Sequence, residues 1–149
     1  MNNRKAKIIV DIFMTIFVIL SFVRWSGNGG LIFHLAVGTI FAVFVATHLY
    51  LNRKWVVAVT KSIKKRRANK KMKRLYVIDM ILIAVWSIAI MTGFLAIPSF
   101  AFGMEAFWVF GRIHAVSVRL GSVLILVHII QHWGQIRSYF RLKKKISAS

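Results

Sequence analysis

GLIFHLAVGTIFAVFVATHLYLNRKW, Gly30 to Trp55, is a long apolar stretch carrying two histidines, and its reading decides the fold. It has a counterpart in GRIHAVSVRLGSVLILVHIIQHWGQI, Gly111 to Ile136. His34 and His48 stand fourteen residues apart in the first, and His114 and His128 stand fourteen apart in the second. Fourteen helical residues rise about 21 Å and end roughly 40° short of four whole turns. Each pair therefore shares one helix face at two depths.

Outward from these stretches the chain stays apolar. It is 58% hydrophobic over 149 residues, with a mean hydropathy of +0.69, which is too apolar for a soluble fold of this size. Apolar runs of about 18 residues or more read as transmembrane helices. The length suits a single all-α transmembrane domain, residues 1–149. Cysteine is absent, which excludes disulfides, iron–sulfur clusters and covalently tethered c-type haem. The net charge of +19 arises from 22 Lys and Arg against 3 acids. Those charges lie in blocks beside apolar segments, so anionic lipid headgroups are a simpler partner than nucleic acid.

Four spans are predicted, at about 8–23, 31–51, 75–97 and 112–133. The first follows the basic Arg4, Lys5 and Lys7, and no small-residue cleavage site succeeds it, so it reads as a retained anchor. Trp25 suits the interface, and Ser26 to Gly30 reads as a tight turn. Eleven Lys and Arg fall between Asn52 and Arg74. There Trp55, Val56, Val59 and Ile63 keep helical spacing, as in an amphipathic extension of the second span. Pro98 is expected to stop the third span, with the aromatic segment Ser99 to Phe110 as an interfacial linker.

The basic blocks occupy the N-terminus, the middle loop and the tail. By the positive-inside rule all three are cytoplasmic, in a multi-pass protein of the cell membrane. The halves also resemble each other. Asp11 and Asp79 each open a span without histidine, followed by a span with the paired histidines. Two helix-pair repeats forming a four-helix bundle are the expected architecture. The second and fourth spans then run parallel, with His34 level with His114 and His48 level with His128.

Intramembrane imidazoles read as functional. Haem iron accepts axial histidine, and one imidazole from each helix gives a six-coordinate iron suited to electron transfer. The other ring nitrogen needs an acceptor, for which Thr47, Ser117 and Ser122 are nearby candidates. A bare metal ion is disfavoured because acids and thiols are expected to be missing from the same depths. Hydrogen bonding between helices is the plainer alternative for the histidines. Gly38 and Gly121 on the histidine faces either clear a ring or pack helices, roles that are compatible. Arg112 and Arg119, near the outer end of the fourth span, either pair with a haem propionate or snorkel. Asp11 and Asp79 are either helix-start acids favoured by the dipole or proton acceptors from a quinol. His132, one turn past His128 and matched by Asn52 in the first half, reads as interfacial.

Together with the His spacing, Met91 to Phe94 (MTGF) and His128 to Trp133 (HIIQHW) resemble the flavinylation-associated cytochrome family of small dihaem membrane cytochromes b. The resemblance covers nearly the whole chain. It implies two non-covalent b haems with His34, His48, His114 and His128 as axial ligands. It further implies electron transfer between membrane quinone and a flavin-bearing or other redox partner outside. The chain reads as a subunit or module of an oxidoreductase rather than a complete enzyme. The rival class is a membrane structural or transition-metal-binding and transport protein using the same histidines.

Overall fold

The computed structural model describes residues 3–22, 28–65 and 69–146, and these are helical apart from short turns. There are four helices among the described residues: α1 (Asn3–Ser21), α2 (Asn28–Lys64), α3 (Lys70–Ala101) and α4 (Ala106–Ile146). Three of them, α2, α3 and α4, are long and apolar enough to cross a membrane. α1 is shorter, with 19 residues, and begins with its basic cluster. Trp25, and Ser26 and Gly27 of the expected turn, lie outside the described residues, whereas residues 28–30 already belong to α2.

α2, α3 and α4 outrun at both ends the spans expected from their apolar runs, whereas α1 starts earlier than expected and ends at Ser21. α2 has 37 residues, or roughly 55 Å at 1.5 Å per residue, against a hydrocarbon core of about 30 Å. Its last turns are the expected extension and carry Arg53, Lys54, Lys61 and Lys64. α3 starts where the Asn69 side-chain oxygen accepts the Met72 amide at 2.8 Å, an N-cap bond. α3 does not stop at Pro98 but contains it and runs on to Ala101. Proline removes one intrahelical donor, but the helix has only one turn left to form. The end comes at Gly103, whose φ of +63° reverses the chain while the Met104 amide bonds the Ser99 carbonyl at 2.8 Å. That is a Schellman stop, for which glycine is the favoured residue. The aromatic linker is accordingly short, because α4 already begins at Ala106.

The chain divides into two compact units, residues 1–67 and 68–149. In the first, α1 packs on α2; in the second, α3 packs on α4. Both are antiparallel hairpins. In the first, Lys7 meets Asn52 and Asp11 meets His48, while Phe13 and Phe17 stack on Phe44 with centroids 5.3 and 5.5 Å apart. Val10, Val37, Phe41 and Val59 are buried. In the second, Asp79 meets His128 and Trp86 lies on Gly121. A Cβ at Gly121 would stand 2.9 Å from the Trp86 indole, so glycine is what lets this aromatic in. Elsewhere long rows of apolar side chains are exposed, Ile32, Val116 and Ile130 among them. A two-helix unit covers only one face of each helix by itself.

Candidate functional site

His48, His114 and His128 each turn one edge of the imidazole toward the partner helix of their own unit. In the first unit His48 Nδ1 lies 2.6 Å from Asp11 Oδ1. In the second His128 Nδ1 lies 2.8 Å from Asp79 Oδ1, and His114 Nδ1 lies 2.8 Å from the Ala89 carbonyl oxygen. A carbonyl can only accept, so His114 Nδ1 carries the proton and donates it. An ionised carboxylate likewise only accepts, which makes Nδ1 the donor at His48 and His128. In a neutral imidazole the lone pair then sits on Nε2 in all three rings. His48 and His128 keep about a quarter of their side chains exposed, 26% and 27%.

These acceptors differ from those the sequence suggests. Thr47 and Ser122 spend their hydroxyls on their own helices, donating to the Val43 and Val118 carbonyls at 2.8 and 2.7 Å. Asp11 and Asp79 are not helix-start acids. α1 and α3 begin well before them, with no acid in either first turn. Each acid instead sits mid-helix at the depth of a histidine, Asp79 buried and Asp11 more open. The expectation that acids are missing from the histidine depths is therefore corrected.

The surroundings of the two acid–histidine pairs differ. Around His48, Asn52 donates to Nε2 at 3.3 Å and to the His48 carbonyl at 2.9 Å, and Lys7 donates to the Asn52 oxygen at 2.8 Å. Around His128, the residue four positions on is His132, with Nε2 3.5 Å from the second Asp79 oxygen. The His128 and His132 rings lie 4.5 Å apart. Asp79, His128 and His132 each offer a ligand atom, all within 4.8 Å of one another. This cluster could take a transition-metal ion with one carboxylate and two imidazoles. His132, read from sequence as interfacial, thus joins the site.

Of the other expected site residues, His34, Arg112 and Arg119 are on exposed faces of α2 and α4. Gly38 faces open space, with nothing within 4 Å of an added Cβ, which leaves room beside His34. Gly121 does not: its space is taken by Trp86, so it serves helix packing. The residue that makes room at a histidine is Gly93, which sequence reasoning passed over. A Cβ there would stand 3.0 Å from His114 Nδ1 and 3.1 Å from its Cε1. The Thr-Gly of Met91 to Phe94 was its only sequence signal.

His48, His114 and His128 each have one ring nitrogen anchored on a carboxylate or carbonyl. Histidines that bind metal through one nitrogen usually donate the other to a carboxylate or carbonyl, which fixes tautomer and ring plane. No protein-family model, curated protein or solved structure matches the chain.

Proposed function

We propose that this chain is a membrane electron-transfer protein holding two non-covalent b haems. His34 and His114 are the axial ligands of one iron, and His48 and His128 those of the other. Bis-imidazole iron is coordinatively filled and exchanges single electrons. The observation that carries the reading is the anchored Nδ1–H of His48, His114 and His128, which puts the basic lone pair on Nε2; at His48 an iron would displace the Asn52 amide 3.3 Å from that nitrogen. α1 is the fourth span, the two hairpins are copies of one repeat, and both termini face the cytoplasm. Electrons pass between the quinone pool and a flavin-bearing partner outside.

The residues divide the work simply. Asp11, Asp79 and the Ala89 carbonyl orient the rings. Gly38 leaves space for a macrocycle edge, and Gly93 lets the His114 ring lie against α3. Arg112 and Arg119 offer cations to propionates. The basic turns from Arg53 to Lys64 rest on anionic headgroups. Reporter fusions at Asn28, Lys70 and Ser149 are expected outside, inside and inside; Lys70 outside contradicts the topology.

The Asp79, His128 and His132 cluster favours a second reading, transition-metal binding or transport. His132→Ala separates the two. The haem reading predicts that both haems remain, since His132 ligates neither. A purified protein with about one tightly held zinc or copper per chain, lost in His132→Ala, favours the metal reading instead.

A further inference from the structure

The two units carry the same acid–histidine pair in different settings. Asp11 and His48 are 2.6 Å apart in the first, and Asp79 and His128 are 2.8 Å apart in the second. Four residues before each acid stand Lys7 and Leu75, and four residues after each histidine stand Asn52 and His132. The settings part at these two positions.

In the first unit Lys7 and Asn52 close the pair to cations. The Lys7 ammonium donates to the Asn52 oxygen at 2.8 Å, and the Asn52 amide nitrogen faces His48 Nε2 at 3.3 Å. The oxygen of the amide is thus taken, and its nitrogen has only protons to offer. A fixed positive charge already stands beside it. In the second unit leucine replaces the lysine, and His132 brings an imidazole where asparagine stood. His128 and His132 are one turn apart on α4, the spacing that sets two imidazoles on one helix face toward zinc. Asp79 adds a carboxylate from α3. His132 Nε2 lies 3.5 Å from Asp79 Oδ2 and His128 Nδ1 lies 2.8 Å from Asp79 Oδ1. All three ligand atoms fall within 4.8 Å of one another. Donors around a tetrahedral zinc, at bonds of about 2.0–2.2 Å, stand about 3.4 Å apart. Side-chain rotation spans that difference.

We propose that Asp79, His128 and His132 form a single site for a divalent ion of the zinc class in the second unit, and that Lys7 and Asn52 keep the first unit from forming its counterpart. This rests on the second reading above and not on the haem reading. Two imidazoles among three donors disfavour magnesium and calcium, which take oxygen ligands, and the site has no thiolate for Cu(I). Three protein ligands leave the fourth position to water. To ligate through Nδ1, His128 moves its proton to Nε2, a change of tautomer without change of charge.

The test strips the purified chain in detergent with a chelator. The protein is then titrated with Zn²⁺ against a chromophoric indicator and with Co²⁺ by its visible absorption. Haem content is read in the same samples. The variants are Asp79→Asn, His132→Asn, which installs the residue of the matched first-unit position, and Lys7→Leu combined with Asn52→His. Wild type is expected to hold one ion per chain with a tetrahedral-type Co²⁺ band. Asp79→Asn and His132→Asn should each weaken binding by more than about tenfold, the least that losing even an outer partner of a ligand costs. The double variant should hold two ions. Circular dichroism reports whether each variant folds. Where the single variants do not fold, the double variant decides: a second ion supports the proposal and one ion overturns it. Zinc bound equally by wild type, Asp79→Asn and His132→Asn overturns the proposal and leaves the metal-binding reading standing. A wild-type protein that takes up no zinc overturns both.

Discussion

Alanine at His34 or His114 is expected to remove one haem and leave the other, and alanine at His48 or His128 to remove the other and leave the first. Each substitution deletes one axial bond. The fourteen-residue spacing puts the two levels about 20 Å apart along a helix, too far for one vacancy to disturb the other ligand set. Four variants should therefore fall into two spectral classes, each keeping about half of the wild-type haem. His48→Ala also removes the histidine partner of Asp11, and His128→Ala leaves the more buried Asp79 with His132 alone, 3.5 Å from its second oxygen, so stability should fall in both. Haem content by pyridine haemochrome and low-temperature spectra decide the grouping. If His34→Ala shares a class with His128→Ala, the pairing of histidines is wrong.

Gly93→Val strikes the same chemistry without touching a ligand. The His114 ring lies so close to Gly93 that even a methyl carbon would stand 3.0 Å from Nδ1. A valine's branches must push the ring off the Ala89 carbonyl or push α3 off α4. Overpacking of this kind costs about 1–3 kcal/mol in stability. The expected outcome is loss of the haem assigned to His34 and His114, retention of the one assigned to His48 and His128, and a lower melting temperature. Gly111→Ala is the control on α4, because nothing lies within 4 Å of its added Cβ. Gly93→Val with an unaltered spectrum would mean that the His114 ring position does not matter to the cofactor.

The helices themselves were legible because apolar runs of this length have few other solutions. The paired histidines were legible because a fourteen-residue spacing falls on one face whatever surrounds it. Pro98 misled because proline is a strong punctuator on average, but the helix runs on past it to Ala101 and stops at Gly103, whose positive φ only the backbone reveals. The roles of Asp11 and Asp79 were hidden for a different reason. Each acid lies tens of residues from its histidine, and only the antiparallel register of the hairpin brings Asp11 to His48 and Asp79 to His128. Hydroxyls nearby in sequence, such as Thr47, were plausible acceptors until their own helix claimed them. Gly121 and Gly93 were likewise indistinguishable without knowing that an indole lies over one and an imidazole over the other.

The central claim is that the four histidines hold two b haems, and the visible spectrum of the purified protein tests it most directly. The dithionite-reduced minus oxidised difference spectrum is expected to show a Soret band and a b-type α-band. Quantified haem should approach two per chain, and acid–acetone should extract all of it, because the chain has no cysteine to tether the group. A folded, purified protein from haem-replete cells that shows no Soret band contradicts the account and leaves the histidines to a metal ion or to helix packing.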